Sequence, residues 1–310
     1  DTIMIASIEP KENKIAMISV PRDLYVDNPV WGGKTKINAV YAAGEENGKK
    51  EGLVQMEKVV GDITGLTINY GVSINFQGFT QLVDAIGGVD ITLDKPFEES
   101  IQFNEPKACD SNVFTIPTGQ YQNKIVKSHT ITLPNGTKKK VGVKAPLYPL
   151  CTPDPKYLEC GGNFKLPAGK QTLSGEIALC YARARYTSSD FERAKRQQQV
   201  IQLIKDKLLS AGTLTDFGKL NGIADSLGDN VRSDTQPWEM KRLYDLYTGM
   251  QNPQVFQRVL ENSEEGLLYN PPETKETGYI LLPIGDNYDK IRETANNIFT
   301  LPPQTDIQPK

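Results

Sequence analysis

Apolar and polar positions alternate through Thr2–Ile8 and again through Lys14–Val20, with Glu9-Pro-Lys-Glu-Asn13 between them carrying turn chemistry. The pattern predicts a β-hairpin over residues 1–26 whose second strand ends at Pro21 and projects Arg22 and Asp23 from its end. The small-residue run Lys36–Gly44 predicts a closely packed helix stopped by Gly44, and Leu53, Met56, Val59 and Val60 recur at helical spacing between Gly52 and Gly61. A strand at Tyr70–Asn75, a helix at Phe76–Ile86 with Phe79, Leu82, Val83 and Ile86 inward, and a strand at Val89–Leu93 predict a crossover unit, hence parallel pairing.

The pattern breaks at about 99–165, a stretch rich in Lys, Asn, Thr and Pro. Its one clear signal is a small hairpin, Ile125–Leu133 and Lys138–Val143 about Pro134-Asn-Gly136. It reads as an insertion in a single domain spanning 1–300, followed by a disordered tail at 301–310. Beyond the insertion, Leu166–Glu176 turns into a short helix, and the apolar run Ile177–Cys180 enters the stretch Tyr181–Gln199. Tyr181–Tyr186 alternates, which predicts a strand with Tyr181, Arg183 and Arg185 on one face. Ser189-Asp-Phe-Glu192 has the spacing of a capping box, and Arg193, Arg196 and Gln197 extend the helical stripe of Val200, Ile204 and Leu208, inward over the sheet. Short helical pieces over 211–232, a helix at Pro237–Met250, strands at Val255–Leu260 and Tyr279–Pro283 and a helix at Asp286–Phe299 complete the reading. The fold class is α/β: a central mixed sheet sandwiched by helices in three layers, with an irregular β-containing insertion.

Charge sharpens one segment. The chain of 310 residues carries a net charge of −3, so no global basic field draws in nucleic acid. Yet Tyr181–Gln199 holds Arg183, Arg185, Arg193, Lys195 and Arg196 against Asp190 and Glu192. Arginines flanking a helix N-terminus suit a phosphate or pyrophosphate, which guanidinium forks grip bidentately. Pairing with internal carboxylates is the alternative for any one of them, and a local ion pair in a turn is the alternative for Arg22 and Asp23. A polyanion of this kind usually brings Mg²⁺, for which Asp1 and Asp23, each beside a strand of the first hairpin, are the candidate ligands.

His129 is the single histidine and lies in the insertion, so a Ser-His-Asp or Cys-His mechanism has little to draw on. No Walker A or G-x-G-x-x-G follows a strand. Among four cysteines, a disulfide between two of Cys109, Cys151 and Cys160 is expected, and Cys180 reads as a buried small hydrophobe. No apolar run is long enough to span a membrane, but the chain opens within a strand and is expected to derive from something longer, which leaves room for an anchor upstream.

Five blocks in order resemble the LytR-CpsA-Psr (LCP) family. They are Asp1-Thr-Ile-Met with Ser19-Val-Pro-Arg22-Asp23; Lys36-Ile-Asn38-Ala-Val-Tyr41; Asn75-Phe-Gln-Gly78-Phe with Asp84-Ala-Ile-Gly-Gly88-Val-Asp90; Gly169-Lys-Gln-Thr-Leu-Ser-Gly175; and Ala178-Leu-Cys-Tyr-Ala-Arg183-Ala-Arg185-Tyr with Asp190, Arg193 and Lys195-Arg-Gln197. The resemblance implies a Mg²⁺-dependent phosphotransferase of the cell envelope. Such an enzyme moves an anionic glycopolymer from a polyprenyl-pyrophosphate carrier to a peptidoglycan sugar hydroxyl, forming a phosphodiester. It implies a monomeric domain outside the cell membrane, held by a transmembrane anchor. By position, Asp1 and Asp23 would hold Mg²⁺; Arg22, Arg183, Arg185, Arg193, Arg196 and Gln197 would bind the pyrophosphate; Asp23, Arg183 and Arg185 would be catalytic. The lipid would lie in an apolar tunnel lined in part by Phe76–Ile86. A polyprenyl-pyrophosphate phosphatase and a non-catalytic lipid-carrier-binding or regulatory module are the alternatives. This sequence departs from the family in lacking a strand and an Arg-containing loop before Asp1, in its long insertion, and in Cys180 at a usually aliphatic or small position.

Overall fold

The computed structural model describes residues 2–48, 51–99, 107–108, 115–122, 125–132, 138–144, 148–153, 159–184, 190–210, 216–274 and 276–304. The chain forms two compact units, one of residues 1–91, 170–183 and 188–310, the other of residues 92–169 and 184–187. In chain order the elements up to the second unit are β1 (Ile3–Glu9), β2 (Lys14–Val20), β3 (Tyr25–Asp27), β4 (Lys34–Lys36), α1 (Asn38–Asn47), α2 (Glu51–Thr64), β5 (Val72–Ile74), α3 (Phe76–Ala85) and β6 (Val89–Leu93). The second unit carries β7 (Phe97–Glu99), β8 (Lys107–Ala108), β9 (Thr115–Gln122), β10 (Ile125–Thr132), β11 (Lys138–Lys144), β12 (Tyr148–Pro153) and β13 (Phe164–Leu166). The chain continues with β14 (Gly169–Leu173), α4 (Gly175–Arg183), α5 (Asp190–Ser210), α6 (Phe217–Leu227), β15 (Val231–Ser233), α7 (Pro237–Thr248), β16 (Gln254–Val259), β17 (Glu261–Asn262), β18 (Leu267–Tyr269), β19 (Leu282–Pro283) and α8 (Asp289–Asn296).

The first unit is organised around β2. It pairs antiparallel with β1 from Ile3↔Val20 to Glu9↔Lys14, and parallel with β16 from Gln254↔Lys14 to Val259↔Ser19. The alternation in the sequence marks the hairpin, with Asn13 turning it in the left-handed region (φ 55°). Ala16 to Val20 are all buried because β2 is the central strand of three. Ile18, Val20, Leu24, Val26, Ile37 and Val40 form one core with Val59, Val60 and Ile63 of α2, Leu260, Leu268, Leu281 and Ile291.

Three expectations are corrected here. Gly44 does not stop α1, which runs on to Asn47; Gly44 is where α1 meets α2, since a Cβ there would lie 2.7 Å from the Gly52 Cα. Close packing, not termination, requires the glycine. Next, β5–α3–β6 is not a parallel crossover. β5 pairs antiparallel with β15, β6 pairs with β14, and parallel pairing is supplied by β16 on β2 instead. Periodicity reports the type of each element but says nothing of its partner. Finally, Tyr181–Arg183 is the last turn of helix α4, not a strand. Its apolar positions satisfy either period over so short a run.

In the second unit, β10 and β11 form the expected antiparallel hairpin, with Thr132 opposite Lys138, and β8, β12 and β9 make a three-stranded sheet. β7 pairs with β13, and Phe97 meets Phe164 edge-on at 6.1 Å. Cys151 and Cys160 are disulfide-bonded, and so is Cys180, contrary to its reading as a free buried hydrophobe. A half-cystine is as apolar as a buried thiol, so an apolar neighbourhood cannot tell them apart. Cys109 lies outside the described residues. Of the expected disordered tail, residues 301–304 are ordered: the Gln304 side-chain amide accepts from Val259 N at 2.8 Å and donates to Val259 O at 3.0 Å along β16, and residues 305–310 lie outside the described residues.

One carboxyl pair makes a pH-dependent clasp in this fold. Asp234 accepts from Gly71 N at 2.8 Å, and Glu57 of α2 is hydrogen-bonded to Asp234. Burial, then the Asp234 charge and hydrogen bond, raise Glu57 from 4.5 to about 7. The folded state therefore binds this proton more tightly than the unfolded chain does. Its stabilisation is full below about pH 4.5 and is lost as pH rises through about 7. Glu57→Gln is expected to remove that slope and raise stability at pH 8 by about 1 kcal/mol, allowing for solvent screening of a half-buried group. Chemical denaturation at pH 5 and pH 8 checks it, and an unchanged slope would refute it.

Candidate functional site

Pro21 ends the β2 ladder, and the next turn is closed by Leu24 N donating to Pro21 O at 3.1 Å. Asp23 is held from both sides: Leu281 N donates to its carbonyl at 2.9 Å, while Asn38 N donates to Arg22 O at 3.4 Å. The short hairpin β3–β4 sets Lys36 opposite Tyr25 and so returns it to the strand end. There Lys36 Nζ donates to Asp23 Oδ1 at 2.6 Å and Arg22 Nε donates to Oδ2 at 3.4 Å. Asp23 is only 7% exposed. A carboxylate so buried is tolerated because it is paired. The local Arg22–Asp23 ion pair is thus present, but the shorter contact is to Lys36, which sequence reasoning did not place in the site. Its one signal was membership of the motif block Lys36-Ile-Asn38-Ala-Val-Tyr41, since its spacing from Asp23 carries none.

The arginine-bearing helices are positioned by equally specific contacts. α4 starts with its Gly175 N–H donating to Asp84 Oδ1 of α3 at 2.7 Å, and a Cβ on Gly175 would lie 2.2 Å from Thr80 O. At the other end of the pair, Arg183 sits over the Phe76 ring, with its guanidinium carbon 4.6 Å from the centroid. α3 and α4 therefore run antiparallel. Asn75 caps α3 by accepting from Gly78 N at 2.8 Å, and Asn75 Nδ2 donates to Asn230 Oδ1 at 2.8 Å.

α5 turns three consecutive residues to three tasks. Arg196, 6% exposed, donates from Nε to Tyr181 O at 3.2 Å, and Gln197 Nε2 donates to Ala182 O at 3.3 Å. Both satisfy carbonyls that the last turn of α4 leaves without an intrahelical partner. Gln198, 2% exposed, donates to Ser19 Oγ at 2.8 Å and to Arg258 O at 3.4 Å, joining α5 to β2 and β16. Arg196 and Gln197 of the expected stripe thus turn to the end of α4 rather than over the sheet, and Gln198, outside that stripe, is the residue that reaches the sheet. Gln198→Leu is expected to cost about 1–3 kcal/mol in denaturant unfolding by stranding buried acceptors; a cost under about 0.5 kcal/mol would contradict this role.

Tyr181 donates its hydroxyl to Gln199 Oε1 at 3.0 Å; burial pushes the phenol up from its ordinary value, opposed by Arg196 and reinforced by Glu192. Glu261, just past β16, is also raised by burial, with Ser263 and Lys195 acting against Glu265. Arg258, 6% exposed, pairs with Glu265 at 3.2 Å. Neither Arg258 nor Glu261 had a motif to announce it.

The structure thus brings Arg22, Asp23 and Lys36 together at the end of β2, and lays the helix carrying Arg193 and Arg196 across β2 through Gln198. Arg183 lies at the α3–α4 pair, over the Phe76 ring. Asp1 and Arg185 lie outside the described residues, as does the side chain of Asp190. Among the described residues no group of three or more His, Cys, Asp or Glu converges. Mg²⁺ commonly uses only one or two carboxylates together with substrate phosphate oxygens, and Asp23, a buried hard-oxygen donor at a strand end, fits such a set.

A mixed α/β unit, with a buried carboxylate paired to Arg22 and Lys36 at the end of its central strand, defines the class: an α/β domain with a charged cluster at a strand end. The LytR_cpsA_psr family model matches residues 1–279, and the chain belongs to that family. It is 25% identical over 309 residues to the Bacillus subtilis (strain 168) polyisoprenyl-teichoic acid–peptidoglycan teichoic acid transferase TagV, covering 98% of this chain and 61% of that protein. It is 28% identical over 249 residues to the TagU transferase of the same description from Halalkalibacterium halodurans, covering 79% of this chain and 59% of that protein. The chain therefore spans about three fifths of the length of these relatives. The fold is shared with the crystal structure of B. subtilis TagV, with TM-score 0.58, 23% identity, and coverage of 98% of this chain and 90% of that one. It is shared also with the structure described as TagT bound to LIIa-WTA, with TM-score 0.60, 20% identity and coverage of 97% and 85%.

Proposed function

We propose that this chain is the catalytic part of a cell-envelope phosphotransferase that moves an anionic glycopolymer from a polyprenyl-pyrophosphate carrier to a peptidoglycan sugar hydroxyl. The observation that carries this reading is the buried Asp23, held between Arg22 and Lys36 at the end of β2. Family membership and the relatives' printed activity support the substrate class. In this reading Arg22, Arg183, Arg185, Arg193 and Arg196 meet the pyrophosphate oxygens, with Gln197 beside them. Arg196 and Gln197 also hold the end of α4. The acceptor oxygen attacks the sugar-linked phosphorus as the bond to the bridging pyrophosphate oxygen breaks. Polyprenyl phosphate leaves, and Asp23 takes the hydroxyl proton. Asp1 and Asp23 would hold Mg²⁺, which when bound supplies positive charge to the pyrophosphate oxygens. The protein acts as a monomer at the outer face of the membrane; among the described residues no helix is long and apolar enough to cross it.

The test supplies a labelled polyprenyl-pyrophosphate glycopolymer and peptidoglycan with and without Mg²⁺. Label reaching peptidoglycan only with Mg²⁺ is the expected result. Phosphate release without acceptor would favour a phosphatase, and lipid retention without either reaction a non-catalytic binder.

A further inference from the structure

We propose that Phe76 is a positioning residue for Arg183: its ring is the platform that aims the guanidinium at the pyrophosphate. This rests on the reading of the site given above and adds to it a residue that touches no reacting atom. Phe76 is 53% exposed although it is a large aromatic in the first turn of α3. Its conspicuous neighbour is Arg183, whose guanidinium carbon lies 4.6 Å from the ring centroid, within reach of the negative face of the π system. Core packing does not explain an aromatic held half in solvent. A flat guanidinium over its face does, because stacking restricts the fork to one plane.

The platform is itself fixed. Asn75 closes the first turn of α3 through Gly78 N, Asn75 N donates to Asn230 O at 3.0 Å, and Asn230 Nδ2 donates to Gln81 Oε1 at 3.1 Å. Asn230 comes so close that a Cβ on Gly78 would lie 2.7 Å from its carbonyl oxygen. The run Asn75-Phe-Gln-Gly78 thus has a division of labour: Asn75 and Gly78 immobilise the helix start, and Phe76 uses that rigidity. Arg183 is equally constrained from behind, because α4 is locked to α3 at Gly175 and Asp84. A long arginine side chain would otherwise lose considerable rotamer freedom on binding an anion. Restricting it beforehand lowers that cost.

The test is titration calorimetry of the full chain, with inorganic pyrophosphate and geranylgeranyl pyrophosphate as probes, for wild type, Phe76→Leu, Phe76→Trp, Arg183→Ala and Phe76→Leu/Arg183→Ala. Phe76→Leu is expected to weaken both probes about 5-fold, the size of a cation–π contact, with an unchanged melting temperature. Phe76→Trp should restore affinity to within about 2-fold, since an indole face binds cations best. The double variant should bind no more weakly than Arg183→Ala alone. Weakening of the lipid probe only would make Phe76 a lipid contact and overturn the proposal. So would additive effects in the double variant, or failure of Trp to rescue. Should Arg183→Ala leave pyrophosphate binding unchanged, the site assignment fails. Should Arg183→Ala abolish binding while Phe76→Leu binds as wild type, this proposal alone fails.

Discussion

Replacing Asp23 by Asn is expected to lower glycopolymer transfer by about 10²- to 10³-fold, the size of effect seen when one preorganised electrostatic group is removed from a reaction site. Asn keeps the shape and loses the charge. Lys36 Nζ, now 2.6 Å from Oδ1, and Arg22 Nε, 3.4 Å from Oδ2, would lose the anion that orients them. Both cationic side chains are about a third exposed, so the fold should tolerate the change at a cost of about 1 kcal/mol. Transfer rates measured beside thermal melting curves separate the two effects. Activity within about 3-fold of wild type in a folded protein would remove Asp23 from the chemistry.

Gly175→Ala is expected to be the most damaging small substitution in the helical layer, costing about 3 kcal/mol by overpacking and reducing transfer in step. The new Cβ would stand 2.2 Å from Thr80 O and 2.7 Å from Thr80 Cα, all backbone, so α3 and α4 must separate. Separation would pull Gly175 N from Asp84 and carry Arg183 away from Phe76. The control is Gly222→Ala in α6, where nothing lies within 4 Å of the added methyl. That change should stabilise by about 0.5–1 kcal/mol, because alanine is the better helix former. Equal melting temperatures for the two variants would refute the close-approach account.

Much of the site was legible because its parts are local. Pro21 ends a strand by its own chemistry, so Arg22 and Asp23 had to emerge at a strand end. The stripe through Arg196 and Val200 follows from helical geometry, and both residues are buried. The Tyr181–Arg183 reading failed for a local reason also: three residues of alternating character fit the end of a helix as well as a strand. Their helical state is decided by Gly175 and Asp84, which start α4 from outside the stretch.

Lys36 illustrates what was not legible. It lies 13 residues beyond Asp23, and nothing in that spacing says a hairpin will fold it back to a 2.6 Å contact. The same holds for Phe76 and Arg183, joined only because two helices pack antiparallel, and for Gln198, whose partners Ser19 and Arg258 come from two strands paired in parallel from opposite ends of the chain. The sequence by itself determined the hairpin, the helix stripes, the excess of arginine and, through its ordered motif blocks, the family. Tertiary structure alone decided which strands pair, which glycines mark close approach, and which side chains share each charge. The physical reason is range: backbone stereochemistry and periodicity act over a few residues, whereas hydrogen bonds, ion pairs and steric exclusion act between whatever the packed chain brings within a few ångströms.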